Sequence, residues 1–361
     1  MPKSFPNSAR FRCPRGFTLV EVIVAMALTL ILLGLAFTFL DQLYNTTDLA
    51  GTMGDVNENL RAAANVITRD LSTCGWELSQ NGIPIPYGGT ATRIIMPGPP
   101  LNSLSPANAT ANDFPSSSYL PILTPGPGYG QSTGSGGTLI PTDQITMITV
   151  NPLITPLSIT TAPTVTASAA TVTTTTTPSQ ISAGQLVMLQ NTNGECLLTA
   201  TAVNTSTNTI TFTKGSAYDA LGLNQFTGPT SGTITQQLET TTPSVSWPAM
   251  TAYAISMIVY YVDNSSSQRL MRLVGSGCAS CTAAQPVALG INVLQVSYSF
   301  SPLATPLDPI RNPTTNLSQI RKVNVWVIAK ADHPNRKSGL YYTNSIATSV
   351  AIQNLAFQNK Y

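Results

Sequence analysis

The sequence predicts an α+β fold, in which one long N-terminal helix packs on an antiparallel β-sheet domain. Three features of the 361 residues lead to this prediction. No proline occurs between positions 17 and 76, so the chain can stay helical over that span. Beyond it, proline and glycine become frequent, and short runs rich in threonine and valine replace the helical periodicity. Only 9% of the residues are charged, which suits an extracytoplasmic β-rich protein.

The helix is predicted to start after a short basic leader, residues 1–16, which ends in Gly16. An apolar segment begins abruptly at Phe17, and residues 22–40 carry no charge, which is roughly the length that a helix needs to cross a bilayer. One carboxylate, Glu21, lies inside this segment. Because a charge in lipid costs several kcal/mol, we expect Glu21 to have either a partner or a function.

The second half of the helix is predicted to be amphipathic. The helical stalk as a whole is assigned to residues 17–78, and its membrane-spanning half to residues 17–40. Residues 45–55 are the poorest helix formers of the span and predict a bend or a frayed joint. Beyond that joint, residues on one helix face recur at spacings of three and four, at Leu60, Ala64, Ile67, Leu71 and Cys74.

Residues 79–361 are predicted to form a β-rich globular domain with a Thr/Pro/Gly-rich insertion at about residues 97–250. Within the insertion, the composition of residues 97–137 favours loop, whereas residues 138–178 favour strands because they are rich in threonine and valine. Two of the later runs, joined by a short polar turn, predict a hairpin. The candidate strands are residues 144–150, 185–190, 209–213, 252–262, 269–274, 290–300, 323–331 and 345–357.

The C-terminal strands also supply bulky side chains for a core against the helix. Aromatic residues at strand spacing are usually packed in a core, so no binding role is assigned to them. The residues concerned are Tyr260, Tyr261, Tyr298, Trp326 and Phe357.

The N-terminal pattern resembles the class III signal of type IV pilins and of the pseudopilins of type II secretion. The resemblance rests on a basic leader, the Gly16–Phe17 junction, and Glu21 five residues after the glycine. An ordinary secretory signal instead places small residues after its apolar core, and no such site follows Leu40. A plain membrane anchor would explain the length of the segment but neither Glu21 nor the junction.

This resemblance implies two modifications and one assembly role. A membrane prepilin peptidase would cut between Gly16 and Phe17. The freed amine of Phe17 would then be N-methylated, which gives N-methylphenylalanine. Glu21 would form a salt bridge with the amine of Phe17, on the same chain or on a neighbouring subunit.

The order of several C-terminal runs is similar to that in PilW-type minor pilins. A hairpin pattern occupies residues 252–263 and 269–273, and a strand at residues 287–298 ends in a tyrosine. Final strands follow at residues 321–329 and 349–355. The Thr-rich insertion departs from the compact pattern of that family.

The resemblance implies a minor pilin that takes part in type IV pilus assembly, by filament priming or in a tip complex. Its partners would be the inner membrane, the prepilin peptidase, other minor pilins and the major pilin. It would cross the inner membrane once, with a periplasmic domain, and reach the pilus or cell surface after assembly. The alternatives are a type II secretion pseudopilin and a pilus-borne adhesin that binds a surface through residues 97–250.

Four of the five cysteines lie outside the leader, and an even number in an exported chain favours disulfide bonds. Cys278 and Cys281 lie between strand-like runs and are predicted to form a bond that pins a loop. Cys74 and Cys196 are the other candidate pair. Three alternatives stay open, namely a zinc site that includes all four cysteines, a redox motif at Cys278 and Cys281, and free thiols.

The sequence contains no pattern typical of catalysis, so we expect the protein not to be an enzyme. The single histidine, His333, lies in a polar loop sequence and is expected at the surface. The chain has no GxSxG motif, no phosphate-binding glycine loop and no zinc-helix motif, so we expect no cofactor, metal ion or small-molecule substrate. Without the leader, 13 basic and 15 acidic side chains remain, which argues against a nucleic-acid partner.

Overall fold

The computed structural model confirms the α+β fold class, with one long helix followed by antiparallel sheets. The helix, α1, runs from Leu19 to Ser72. The structure describes residues 18–79, 82–86, 119–126, 128, 141–226, 248–263, 268–275, 284–300, 309–310 and 317–352.

Strands make up most of the described residues after α1, together with a short 3-10 helix at Leu317–Gln319. The strands of the first part are β1 Ile83–Pro84, β2 Tyr119–Leu120, β3 Leu123–Gly126, β4 Gln144–Val150, β5 Leu157–Ile159, β6 Thr164–Val165, β7 Ala169–Thr173, β8 Leu186–Gln190 and β9 Glu195–Thr199. The remaining strands are β10 Ala202–Asn204, β11 Thr209–Thr213, β12 Met250–Val262, β13 Arg269–Gly275, β14 Ala284–Leu289, β15 Ile291–Phe300, β16 Ile320–Lys330 and β17 Thr343–Ala351.

The largest sheet is organised around β12, whose 13 residues are shared by two sets of partners. Its N-terminal half lies between β5 and β8, and its C-terminal half lies between β4 and β13. β14 extends the sheet beyond β13, β3 extends it beyond β4, and β9 pairs with β8. The other described sheets are the three-stranded β15-β16-β17, the four-stranded β10-β11-β7-β6 and the β1-β2 pair.

The strand predictions are most accurate where a short run of residues carries the whole signal. β4 and β11 have the predicted bounds, and β12 and β13 form the predicted antiparallel hairpin. The loop predicted at residues 97–137 needs correction, because β2 and β3 lie within it. The C-terminal strand, predicted at residues 345–357, runs over Thr343–Ala351, and residues 353–357 lie outside the described residues.

The boundary of the predicted insertion at residues 97–250 also needs correction. β3, β4 and β8 come from this region, yet they belong to the same sheet as β12. A Thr/Val-rich run indicates a strand, but its partner is set by tertiary packing that the run itself does not encode. What remains separate is the four-stranded sheet, which closes a second hydrophobic core around Phe212, Phe226 and Val172.

The central sheet separates the two cores because alternate side chains of a strand point to opposite faces. Leu186, Met188 and Leu197 belong to the core that includes α1. Their neighbours on β8 and β9, Val187 and Leu198, belong to the second core. β8 and β9 are therefore apolar on both faces.

The helix packs on β14, β16 and β17 through its second half only. The predicted apolar face is confirmed, since its residues from Leu60 to Cys74 are buried. The stripe begins at Val56. The frayed joint predicted at residues 45–55 is absent, because α1 is helical throughout this span, and the bend stays a prediction. Within this span, Thr47 and Thr52 donate their hydroxyl hydrogen bonds to carbonyls one turn back along the helix.

The end of the helix is fixed to the central sheet. Gly75 has a φ of +74°, in the left-handed region that favours glycine just after a helix. Its N–H donates to the carbonyl of Ile148 in β4 at 2.9 Å. The hydroxyl of Thr149 donates to the carbonyl of Thr73 at 3.0 Å. Hydrogen bonds in both directions therefore join the last turn to β4.

The predicted aromatic core is confirmed for three of its five members, since Tyr260, Tyr261 and Tyr298 are buried. Trp326 needs correction because it is 42% exposed, on the outer face of β16. The neighbours of Trp326 in sequence, Val325 and Val327, take the inward positions of the strand. Phe357 lies outside the described residues.

A buried carboxylate, Asp70, ties the helix to the sheet. It accepts a hydrogen bond from the Tyr260 hydroxyl and an ion-paired one from Nε of Arg272, both at 2.6 Å. Burial, together with the hydrogen bond to Asp70, raises the pKa of Tyr260 well above its ordinary value. Burial acts to lower the pKa of Arg272, but the hydrogen bond to Asp70 and its charge raise the pKa overall. Arg69 also contacts Asp70, at 3.3 Å, from the exposed side.

We predict that a truncated chain starting at Asp55 folds into a soluble, β-rich domain. The deletion removes the exposed apolar part of α1 and leaves the buried stripe from Val56 to Leu71. Circular dichroism and gel filtration would check the prediction. Persistent aggregation, or a spectrum dominated by helix, would show that the first half of α1 is needed for folding.

We predict that Arg272→Met costs more stability than Arg69→Met, although both arginines pair with Asp70. Loss of Arg272 leaves a buried carboxylate short of its closest cation, at a cost of about 3–5 kcal/mol. The Arg69 side chain is 67% exposed, so its pair is screened and is worth less than about 1 kcal/mol. Urea unfolding at neutral pH measures both, and equal losses would contradict the assigned role of the Arg272 pair.

Candidate functional site

The first half of α1 is an unpartnered apolar helix. Its large apolar side chains from Leu19 to Tyr44 are all exposed, and no residue of its most apolar stretch is buried. This part would extend about 39 Å at 1.5 Å per residue, against about 30 Å for the hydrocarbon core of a bilayer. The helix is therefore long and apolar enough to cross a membrane. An apolar surface of this size needs lipid or other helices to cover it.

The start of α1 is closed by a reciprocal pair of hydrogen bonds between Thr18 and Glu21. Thr18 is the N-cap residue, and its hydroxyl oxygen accepts from the N–H of Glu21 at 3.3 Å. The N–H of Thr18 in turn donates to Oε2 of Glu21 at 3.0 Å, and its hydroxyl lies 3.1 Å from the same oxygen. This capping box satisfies helix N–H groups that have no partner within the helix.

Glu21 thus has a partner inside its own chain, which the sequence-based expectation did not include. The pattern Thr18-Leu-Val-Glu21, with a hydroxyl residue three positions before a glutamate and ahead of an apolar run, predicts a capping box. The predicted cleavage and methylation sites, Gly16 and Phe17, lie outside the described residues. The salt bridge between Glu21 and the Phe17 amine therefore stays a prediction.

The single histidine, in the turn after β16, lies beside the middle of α1. His333 is exposed, as predicted, and its Nε2 lies 3.7 Å from Oδ1 of Asp48. Asp48 lies on α1 just before the buried stripe. This contact links the helix to the turn after β16.

The cysteines of the candidate disulfides fall into two groups. Cys278 and Cys281 lie outside the described residues. Cys74 and Cys196 are free thiols, so the pairing predicted for them is wrong. Cys74 is packed with the helix in the first core, whereas Cys196 points to the opposite face of β9, into the second core. The same separation rules out one zinc site that contains both.

Both free thiols are buried in apolar surroundings. Burial raises the pKa of Cys74 to about 12, and it raises the pKa of Cys196 well above the ordinary value of a thiol. The Sγ of Cys74 donates weakly to the carbonyl of Ile122 at 3.6 Å. Both cysteines therefore act as small core residues, because a thiol is a nucleophile only as the thiolate.

Comparison with known proteins agrees with the N-terminal geometry. A family model described as the prokaryotic N-terminal methylation motif matches residues 12–37. A search of curated proteins gives no match. The matched segment contains the Gly16–Phe17 junction, Glu21 and most of the exposed apolar helix. Together, motif and helix support a type IV pilin-like protein, of the pilin or pseudopilin kind, that is anchored in a membrane.

We predict that Cys74 and Cys196 resist alkylation in the folded protein and react at once in denaturant without reductant. With a pKa of about 12, about one Cys74 thiol in ten thousand is ionised at pH 8 even before access is considered. Iodoacetamide labelling followed by peptide mass mapping assigns each site. Labelling in denaturant that requires prior reduction would reveal a disulfide at that residue.

Proposed function

We propose that this protein is a minor pilin of a type IV pilus, most like the PilW family. Its role is assembly, either in priming the filament or in a tip complex, and it catalyses no reaction. Its domain lies in the periplasm before assembly and at the pilus or cell surface afterwards. Its partners are the prepilin peptidase, other minor pilins and the major pilin.

The observation that carries the proposal is the apolar half of α1, where Glu21 is the only charged residue before Asp41. A helix meant only to anchor a domain needs no carboxylate, and a core helix would be buried. An exposed apolar helix with one charge near its start suits a bundle in which subunits stack along their helices. Such a bundle covers the apolar surface and gives the carboxylate a defined depth.

Glu21 sets the axial register in this proposal. After cleavage, the amine of Phe17 is a cation at a similar depth, on the same chain or on a neighbour. Two unit charges about 4 Å apart attract by roughly 4 kcal/mol at an effective dielectric constant of 20. Desolvation of both groups offsets part of this attraction, so the net gain is smaller. A subunit that slips along the bundle leaves both charges without their partner.

A pseudopilin of a type II secretion system is the second candidate, because the methylation motif suits both classes equally. Both assemble through the same kind of helix, so the difference lies in their partners. Affinity purification from the native host after mild crosslinking would separate the two. Recovery of pilus subunits supports the first class, and recovery of secretion-system pseudopilins supports the second.

We predict that the mature protein starts at Phe17 and that its amine is methylated. N-terminal sequencing and intact mass measurement of the membrane-extracted protein would check both. Gly16→Trp should leave the precursor uncut, because a bulky side chain at this position blocks access of the peptidase to the backbone. A mature start after Leu40, or an intact Met1, would contradict the prediction.

We predict that the charge of Glu21, and not its capping hydrogen bond, is required for assembly. Glu21→Gln keeps an acceptor for the N–H of Thr18 but loses the charge, whereas Thr18→Ala removes the capping hydroxyl and keeps the charge. Glu21→Ala and Glu21→Gln should therefore be processed and inserted, yet fail to co-purify with partner pilins. Thr18→Ala should assemble, since loss of a cap costs only about 1 kcal/mol.

The same set of variants distinguishes two other roles for Glu21. If Thr18→Ala fails and Glu21→Gln assembles, the cap is what matters. If Glu21→Ala forms normal pili with normal partners, the carboxylate only reaches out to the lipid headgroups. Protease protection in membrane vesicles serves as the control for insertion of every variant.

A further inference from the structure

The outer face of the β15-β16-β17 sheet carries a shallow pocket of about 310 Å³. The inner face of the same sheet, with Val323, Val325 and Val327, packs in the core that contains α1. The pocket therefore opens on the side of the sheet that points away from the helix, because alternate residues of β16 face opposite ways. Its outward lining residues are Gln295, Ser297, Asn324, Trp326, Ala347 and Ser349.

The register of the three strands arranges these side chains in two cross-strand rows. Trp326 lies between Gln295 of β15 and Ala347 of β17. Asn324 lies between Ser297 and Ser349 in the next row. Ala347 is small and covers little of its neighbour, and Trp326 is 42% exposed. The pocket thus combines one aromatic plane with a neighbouring row of amide and hydroxyl groups.

The polar groups of the second row are held in place by the sheet. Nδ2 of Asn324 donates to the Ser299 hydroxyl at 3.3 Å, and the Ser349 hydroxyl donates to Oδ1 of Asn324. By contrast, neither the Gln295 amide nor the indole N–H of Trp326 has a hydrogen-bond partner among the described residues. One part of the site is therefore fixed, and another part offers free donors and an acceptor.

We propose that this pocket binds a neutral saccharide. A sugar ring has an apolar C–H face that packs on an indole, and hydroxyl groups around it that both donate and accept hydrogen bonds, as amides do. None of the described lining residues is charged, so the site has no group that would select an anion or a cation. A volume of about 310 Å³ is at the lower end of small-molecule pockets, which suits a mono- or disaccharide unit.

The position of the pocket keeps it accessible in an assembled filament. In the proposed function, subunits associate through the apolar half of α1, and the domain packs on the other half of the same helix. The saccharide site lies on the face of the β15-β16-β17 sheet opposite the helix. A bundle of helices therefore leaves this face directed outward. The site lies outside residues 97–250, the region named above as the binding face of a possible adhesin.

The test uses the full chain in a zwitterionic detergent without sugar groups, since a glycoside detergent would occupy the site. The probes are an array of neutral gluco-, galacto-, manno- and N-acetylhexosamine oligosaccharides, with sialylated and sulfated versions as the charged arm. Titration calorimetry with the best neutral probe then measures the affinity. Trp76→Ala is the matched control, because Trp76 is also exposed but lies at the end of α1.

We expect neutral probes to bind, and Trp326→Ala to weaken binding by about tenfold or more. Gln295→Ala should weaken it by roughly twofold to tenfold, the usual range for one hydrogen bond. Trp76→Ala should leave affinity unchanged, and all three variants should keep the circular dichroism spectrum and be processed and assembled as before. The last readout separates failure of this proposal from failure of the assembly role.

Three outcomes would overturn the proposal. The first is that no neutral probe binds the full chain, and the second is that Trp326→Ala binds as tightly as the unchanged protein. The third is that only sialylated or sulfated probes bind. If saccharides do not bind and Trp326→Ala instead breaks association between subunits, the occupant of this face is another subunit.

Discussion

One uninterrupted helix with two different surroundings is the constraint on which the rest of the structure depends. From Val56 onward, α1 has a single buried stripe, and before Tyr44 every large apolar side chain is exposed. Among the described residues the first half has no partner in its own domain, so it needs lipid or other helices to cover it. The contacts between the helix and the domain must therefore come from the second half of α1. The Asp70 cluster and the hydrogen bonds of Thr73 and Gly75 with β4 attach the domain at the end of the helix.

The domain has two hydrophobic cores, which lie on opposite faces of one sheet. β8, β9 and the first half of β12 are covered on both sides, by the helix core and by the core of the four-stranded sheet. Their outer partner is a Thr-rich sheet, in which Thr171 and Thr211 face each other at 3.5 Å. Threonine therefore serves here as a strand former whose exposed hydroxyl keeps the surface polar with few charges.

Sequence alone predicts the parts of this fold that depend on local pattern. The apolar face from Leu60 to Leu71, the β12-β13 hairpin and the bounds of β4 all follow from periodicity and a short turn. Contacts between distant positions do not follow from local pattern. The pair of Asp70 with Arg272, for example, joins residues 202 positions apart. The sequence contains two further local signals. The Thr18-x-x-Glu21 pattern predicts the capping box, and the alternation of Val323, Val325 and Val327 predicts that Trp326 points outward. The wrong pairing of Cys74 with Cys196 came from the number of cysteines alone. That number does not show that the side chain of Cys196 points away from the core that contains Cys74.

The capping box changes the energetics of the proposed assembly step. An unpaired carboxylate in lipid would raise the free energy of the unassembled subunit, and assembly would then be driven by relief of that cost. In the structure, Glu21 already accepts from the N–H of Thr18, next to the positive end of the helix dipole. Its gain on meeting the Phe17 amine is therefore the difference between two partners and is smaller than the full attraction between two charges. The main driving force for assembly is then the burial of the apolar helix surface, which changes little when one helix slides along another. The charge pair is lost on such a slide, so even a modest gain from it is enough to select the axial register.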